Sequence, residues 1–109
     1  MTEEARKAIE SKCRRRVLEN LNEVGKHIGP RTRMKQIITG PGGLVEGLRS
    51  MGDKETSGWN DLYLAGLLHL SVEATIVESY ECRQLFEPAE IEKMTRELRE
   101  SGYEPKPPK

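Results

Sequence analysis

The spacing of apolar and polar residues is helical wherever a period can be assigned. From position 2 to about 24, apolar residues recur every three or four positions, which predicts a long helix with one narrow apolar stripe. The stripe consists of Ala5, Ile9, Cys13, Val17, Leu21 and Val24. Thr2 precedes two glutamates, as is typical of a helix N-cap and its first turn. Gly25 or the Gly29-Pro30 pair is expected to end this helix.

Two shorter helices are expected in the next part of the chain. The segment 29–43 has a Gly-Pro pair at each end and carries Met34, Ile37 and Ile38 between them, which predicts a short helix between two turns. Leu44 to Met51 has apolar residues at helical spacing and predicts a second one. A polar loop is predicted after position 51.

The stretch from about 58 to 84 is the most apolar part of the chain and predicts a central helix. On a helical projection its apolar residues cover three sides, as expected of a helix buried all round. Charged residues such as Asp61, Glu73 and Glu78 interrupt the run. The stretch therefore does not predict a membrane span, which needs about 18 consecutive apolar residues.

The last part of the chain predicts one more helix and a tail. Pro88 is placed to begin a helix that reaches Ser101, and Gly102 is placed to end it, with Tyr103 packing back on Leu98. We expect one all-α domain over residues 1–104, with two long and about three short helices around the buried central helix at 58–84. Residues 105–109 are expected to be a flexible Pro/Lys tail.

Composition and charge narrow the possible functions. Of the 109 residues 33% are charged and 35% apolar, which predicts a thin core whose remaining apolar surface is covered by a second copy or another protein. Ten basic and five acidic residues precede position 36, against eight and thirteen after it. The beginning of the chain has no apolar run typical of a signal peptide. With Cys13 and Cys82 expected to be free thiols, this favours a cytoplasmic protein.

Two sets of polar residues are candidates for chemistry. His69 and Glu73 would lie one turn apart on the central helix, with Tyr80 close to the same side, and such a group can serve as a general base or as metal ligands. A second set is basic and could contact the phosphates of a nucleic acid. It consists of Arg14, Arg15, Lys26, Arg31, Arg33 and Lys35.

The absence of a catalytic motif favours a function in binding. We expect a small regulatory or adaptor protein without enzymatic activity that acts through protein–protein contacts and forms a homo-oligomer, with no cofactor and no membrane association. Candidate interface residues are Ile9, Val17, Leu21, Trp59 and Tyr63. The alternatives are a nucleic-acid-binding regulator that uses the basic region at 14–35, and a metal-binding or enzymatic protein centred on His69 and Glu73.

Overall fold

The computed structural model of the protein describes residues 2–51 and 57–109, and these ranges contain helices and no strand. The all-α class is therefore confirmed. The predicted polar loop at 52–56 lies outside the described residues. The helices are α1 (Glu3–Ile28), α2 (Thr32–Thr39), α3 (Gly43–Met51), α4 (Ser57–Ala65), α5 (Val72–Val77), α6 (Tyr80–Arg83) and α7 (Pro88–Glu100), with a short 3₁₀-helix at Leu68–Leu70.

The first helix follows its predicted stripe. The hydroxyl of Thr2 accepts a hydrogen bond from the Ala5 amide at 3.1 Å, so the expected N-cap is present. Gly29 has a positive φ of 99° and stops the helix after Ile28. Four stripe residues are buried, namely Cys13, Val17, Leu21 and Val24. The stripe of α1 is thus one wall of the core.

The last helix begins and ends as its sequence predicts. Pro88 is its first residue, where the missing amide proton removes no hydrogen bond. At the other end Gly102 has a φ of 87°, and the Tyr103 amide donates to the Leu98 carbonyl at 2.9 Å. This reversal is the Schellman motif that the Gly-Tyr pair predicted.

The segment 58–84 is not one helix, and the prediction of a continuous central helix is wrong. Gly66 has a φ of 71°, and the Leu67 amide donates to the Leu62 carbonyl at 2.8 Å, which closes α4. Ser71 and Ser79 then cap α5 and α6 by accepting hydrogen bonds from Ala74 and Cys82. The chain therefore changes direction three times, at Gly66, Ser71 and Ser79, where the apolar pattern predicted one continuous helix.

These turns allow apolar residues from several sides of the segment to enter the core. Val72 and Ile76 of α5 lie in the main cluster with the stripe of α1, while Ala74 and Val77 pack with Leu98 of α7. These four side chains lie on two sides of α5, so one side packs on α1 and the other on α7. Helix α5 is therefore the central element, although it has only six residues.

Glycines at the start of α3 permit a close contact with α1. The amide of Leu44 donates to a carboxylate oxygen of Glu10 at 3.0 Å, which satisfies one of the open amides at a helix start. Gly43 has a φ of 69°, and a Cβ at this position would overlap the Glu10 carboxylate. In α3 itself, Gly47 lies against the carbonyl of Ile37, where a Cβ would be 2.7 Å from that oxygen.

The two cysteines form a disulfide, and the expectation of free thiols is wrong. Cys13 in α1 and Cys82 in α6 are bonded, with their Cα atoms 5.6 Å apart, within the usual range for a disulfide. Both are buried, at 2% and 1% exposure. The sequence separation of 69 residues means that only the tertiary packing of α1 brings them together.

The end of the chain lies against α5 and α6, whereas a flexible tail was expected at 105–109. The Tyr80 amide donates to the carbonyl of Lys109 at 2.9 Å, and the Lys109 amide donates to the carbonyl of Glu78 at 3.2 Å. The carboxylate of Glu78 also accepts hydrogen bonds from the Tyr103 hydroxyl and the Lys106 amide. Glu78 is therefore the main attachment point of this segment.

None of the helices in the described ranges combines the length and apolarity needed to cross a bilayer.

Candidate functional site

The structure separates His69 and Glu73, which the continuous helix would have stacked. His69 is exposed in the 3₁₀-helix, while Glu73 lies in the first turn of α5. Between them the backbone of Ser71 is extended, with a ψ of 158°, so the spacing of four residues is no longer one helical turn. Tyr80, on α6, is 62% exposed.

Glu73 nevertheless has unusual electrostatics. Removal from water, together with a smaller effect of the negative charge of Glu97, raises the pKa of its carboxyl group to about 7. Such a group can exchange a proton near neutral pH. In residues 2–51 and 57–109, however, no three His, Cys, Asp or Glu side chains are placed to hold a metal ion. The enzymatic or metal-binding alternative loses the stacked pair of His69 and Glu73 and otherwise stays a prediction.

Several residues of the basic set have intramolecular partners. The Nη1 atom of Arg31 lies 3.5 Å from the Oδ2 atom of Asp61, and its Nη2 donates to the carbonyl of Ile28 at 3.2 Å. Lys26 pairs with Glu23 at 3.3 Å.

The rest of the basic set is spread along α1 and α2. Lys35 donates to the side chain of Asn22. Arg15 and Arg33 are exposed, and Arg14 is half-buried. Nucleic-acid binding by these residues stays a prediction.

The five candidate interface residues differ in accessibility. Val17 and Leu21 are 0% and 3% exposed in the core, so they cannot contact a partner in this fold, and for them the interface prediction is corrected. Ile9 is half-buried against the same core. Trp59 is half-buried, and its indole nitrogen donates to the hydroxyl of Ser101 at 2.8 Å. Tyr63 is 53% exposed.

The structure adds Leu64 to the exposed apolar residues. It is 80% exposed next to Tyr63, near the end of α4. Since a leucine side chain gains from leaving water, these two residues form an apolar surface that a partner could cover.

A groove between α6 and α7 is a further site, which the sequence reasoning missed. Its volume is about 830 Å³. Buried Phe86 and half-buried Ile91 and Thr95 form its deeper part, while exposed Pro88 lies near its edge. An open, partly apolar groove of this size is suited to a peptide segment or a small molecule.

Three arginines line the groove, against two glutamates. Arg96 and Arg99 lie one turn apart on α7, and Arg83 projects from α6. The Nε of Arg83 donates to the carbonyl of Val77 at 2.7 Å, which fixes the side chain at the groove. The glutamates are Glu92 and Glu100, so the lining has a net positive charge.

The sequence contained one signal for this groove. Pro88, Ile91, Thr95 and Arg99 follow one another at helical spacing, and they form a second face of α7 beside the stripe that contains Leu98. What the sequence could not indicate is that Arg83 of α6 lies beside that face.

Comparison of the chain with protein families, with curated proteins and with solved structures finds no match.

Proposed function

We propose that this chain is a small helical adaptor or regulatory protein, without enzymatic activity, that binds a segment of another protein in the groove between α6 and α7. The observation that carries the proposal is the combination of Phe86, Ile91 and Thr95 in the deeper part with arginines around them. Protein interfaces are enriched in such apolar centres and in arginine. The groove is also built on helices, which hold its shape before binding.

The anchoring of the groove supports a role in binding. Phe86 and Ile91 pack into the main core, and the Cys13–Cys82 disulfide fixes α6 to α1. Because these contacts fix the residues of the groove before binding, only the bound segment would lose conformational entropy, and the protein itself would lose little.

A bulky residue placed in the groove tests the proposal. Peptides of random sequence displayed on phage are selected on the wild-type protein, and the recovered peptides are measured against Thr95→Trp. Thr95 lines the groove, whereas Ala89 is exposed on the same helix outside it. Ala89→Trp is therefore the matched control. We expect binding to wild type and Ala89→Trp, and loss of binding to Thr95→Trp. Recovery of no peptide, or equal binding to both variants, contradicts the proposed function.

The homo-oligomer expected from the sequence stays a prediction. Tyr63 and Leu64 are the exposed apolar residues of α4 that a second copy would cover. Light scattering on a sizing column is expected to give a dimer or larger species for the wild type and a smaller one for Leu64→Asp. A monomeric wild type contradicts it.

A cytoplasmic location also stays a prediction, and one of its premises has changed. It depended partly on free thiols, but Cys13 and Cys82 are bonded. Disulfides persist mainly in oxidising compartments. Alkylation of protein taken from its native compartment shows whether Cys13 and Cys82 are free there, as a cytoplasmic location predicts, or bonded, as an oxidising compartment predicts.

A further inference from the structure

The chain already places one of its own carboxylates on an arginine that lines the groove. Glu104 accepts two hydrogen bonds from Arg99, at 3.0 Å to Nε and 3.2 Å to the terminal nitrogen. This is the two-pronged geometry in which arginine binds a carboxylate most specifically. At least this arginine is therefore positioned to bind a carboxylate.

Glu104 is presented to Arg99 by the chain reversal after α7. Gly102 turns the chain, and Tyr103 and Lys106 on either side of Glu104 are both hydrogen-bonded to Glu78. The segment stays attached through these bonds whether or not Glu104 remains on Arg99. Release of the Glu104 side chain therefore does not require the segment to detach.

The Arg99–Glu104 pair is easy to exchange. Its side chains are 59% and 71% exposed, and ion pairs this open to water contribute little to stability. A carboxylate from outside the chain can therefore replace that of Glu104 at small cost. Arg96, one turn away, lines the same groove and is exposed, so it can bind a second acidic group.

We propose that the groove binds an acidic peptide segment with apolar anchors, and that Glu104 occupies Arg99 until a carboxylate of the partner replaces it. This inference rests on the proposed function and adds the chemistry of the partner and a self-inhibiting contact. The apolar anchors of the peptide pack on the accessible surface of Pro88, Ile91 and Thr95. Its acidic residues bind Arg96 and Arg99 at the edge, as in other grooves that take an amphipathic segment.

The groove favours a peptide over a nucleic acid for two reasons. Base stacking needs an exposed aromatic ring, whereas Phe86, the aromatic residue of the groove, is only 7% exposed. A polyanion would also meet Glu92 and Glu100. A peptide can place its acidic residues opposite the arginines and avoid both glutamates.

The composition of the selected peptides and a set of charge variants test the inference. We expect the peptides recovered on the wild-type protein to combine Asp or Glu with apolar residues. Binding of a labelled recovered peptide, measured by fluorescence polarisation, is expected to weaken roughly three- to tenfold in Arg96→Gln and in Arg99→Gln. Arg15→Gln, which removes an exposed arginine of α1, is the control for net charge and is expected to bind as the wild type does.

Glu104→Gln gives the decisive result, because it removes the competing charge without substituting a residue that lines the groove. The peptide is expected to bind this variant roughly two- to fivefold more tightly than the wild type. In an Arg99→Gln background the same change is expected to have no effect, since the two residues act on one contact. Unchanged or weaker binding to Glu104→Gln overturns the inference, as do recovered peptides without acidic residues. In those cases loss of binding to Thr95→Trp still supports the proposed function. Recovery of no peptide overturns both.

Discussion

Cys13 in α1 and Cys82 in α6 are bonded to each other across a separation of 69 residues. Cys13 belongs to the apolar stripe of α1, and Cys82 is held in place by the cap at Ser79. The bond joins the first helix to the half of the chain that carries the groove. It is the one covalent link between these parts in the described residues, apart from the chain itself.

We predict that reduction of this disulfide destabilises the protein. A disulfide that closes a loop of this length lowers the entropy of the unfolded chain and so raises its free energy by about 4 kcal/mol in the chain-entropy description. Urea unfolding in the presence of a reductant should therefore give a free energy of unfolding that is lower by about this amount. The control is the double variant Cys13→Ala/Cys82→Ala, whose stability should not depend on the reductant. Alkylation of the unfolded protein checks the bond directly. Two adducts formed without reductant would show that the thiols are free.

Local signals predicted the elements that depend on a few adjacent residues. The cap at Thr2, the start at Pro88 and the reversal at Gly102 were all expected, because each depends on the backbone and side-chain chemistry of its own turn. The spacing of the apolar stripe also identified which side of α1 is buried. These features need no knowledge of the rest of the fold.

The central segment shows where the apolar pattern misleads. Apolar residues on three sides predict a helix buried all round, but the same composition suits short helices that turn within the core. Gly66, Ser71 and Ser79 were local signals for those turns, and the hydrophobicity of the segment hid them. The pair at His69 and Glu73 was lost with the helix, since its geometry depended on an unbroken turn.

The remaining features depend on tertiary packing alone. A sequence does not indicate that Cys82 will meet Cys13 over 69 residues, or that Arg83 will lie beside the second face of α7. The arginines of α7 alternate with glutamates and are typical of a solvated helix. The contact of Arg99 with the Glu104 carboxylate distinguishes this arginine from an ordinary solvated one.

We predict that the stability of the protein falls as the pH rises from 4.5 to 7, because in this interval Glu73 ionises in the unfolded state but stays protonated in the folded state. Burial raises its pKa from 4.5 to about 7, so the folded state binds the proton more tightly than the unfolded state in this interval, and ionisation opposes folding. Glu73→Gln is therefore expected to raise the free energy of unfolding at pH 8 by about 1 to 3 kcal/mol. At pH 4, where Glu73 is protonated in both states, the change should have little effect.

Glu19→Gln is the matched control for this measurement. Glu19 is exposed on α1, so its substitution removes the same charge from a solvated position. Urea unfolding at a series of pH values should show the wild-type pH dependence in Glu19→Gln and a flatter one in Glu73→Gln. Equal pH dependence in both variants would mean that Glu73 is not desolvated.

We predict a small, salt-sensitive contribution from the contact between Arg49 and Glu90. The guanidinium of Arg49 donates to both carboxylate oxygens of Glu90, at 3.0 and 2.9 Å, and ties α3 to α7. Both side chains are partly exposed, so Arg49→Gln should lower the free energy of unfolding by only about 0.5 to 1 kcal/mol at low salt. High salt should reduce the difference. Lys7→Gln, in a more exposed pair with Glu3, should have no measurable effect.

The pH dependence of the Arg49–Glu90 contact has the opposite sign to that of Glu73. The hydrogen bond from Arg49 lowers the pKa of Glu90 below its ordinary value, so the stabilisation is present above pH 4.5 and is lost as the pH falls through the lowered pKa. The difference between wild type and Arg49→Gln should therefore shrink in acid. A difference that persists at pH 2 would assign the effect to packing.

We predict that Gly43→Ala is more destabilising than Gly66→Ala, although the two glycines have nearly the same φ. Their φ values are 69° and 71°, and each substitution should cost about 1 to 2 kcal/mol for placing a Cβ in the left-handed region. Around Gly66 no atom lies within 4 Å of an added Cβ, whereas at Gly43 it would overlap the Glu10 carboxylate. Displacing the Glu10 side chain should remove its hydrogen bond from the Leu44 amide, which adds ~1 kcal/mol to the cost of Gly43→Ala.

Removal of the Glu10 side chain separates the two costs of Gly43→Ala. In a Glu10→Ala background the carboxylate is absent, so Gly43→Ala should cost no more than Gly66→Ala does in the wild-type protein. The four free energies of unfolding form a double-mutant cycle whose coupling term measures the carboxylate contact. Zero coupling would mean that Glu10 moves aside freely when a Cβ is added. The extra cost at Gly43 would then have to come from the backbone of the turn before α3 rather than from contact with the Glu10 carboxylate.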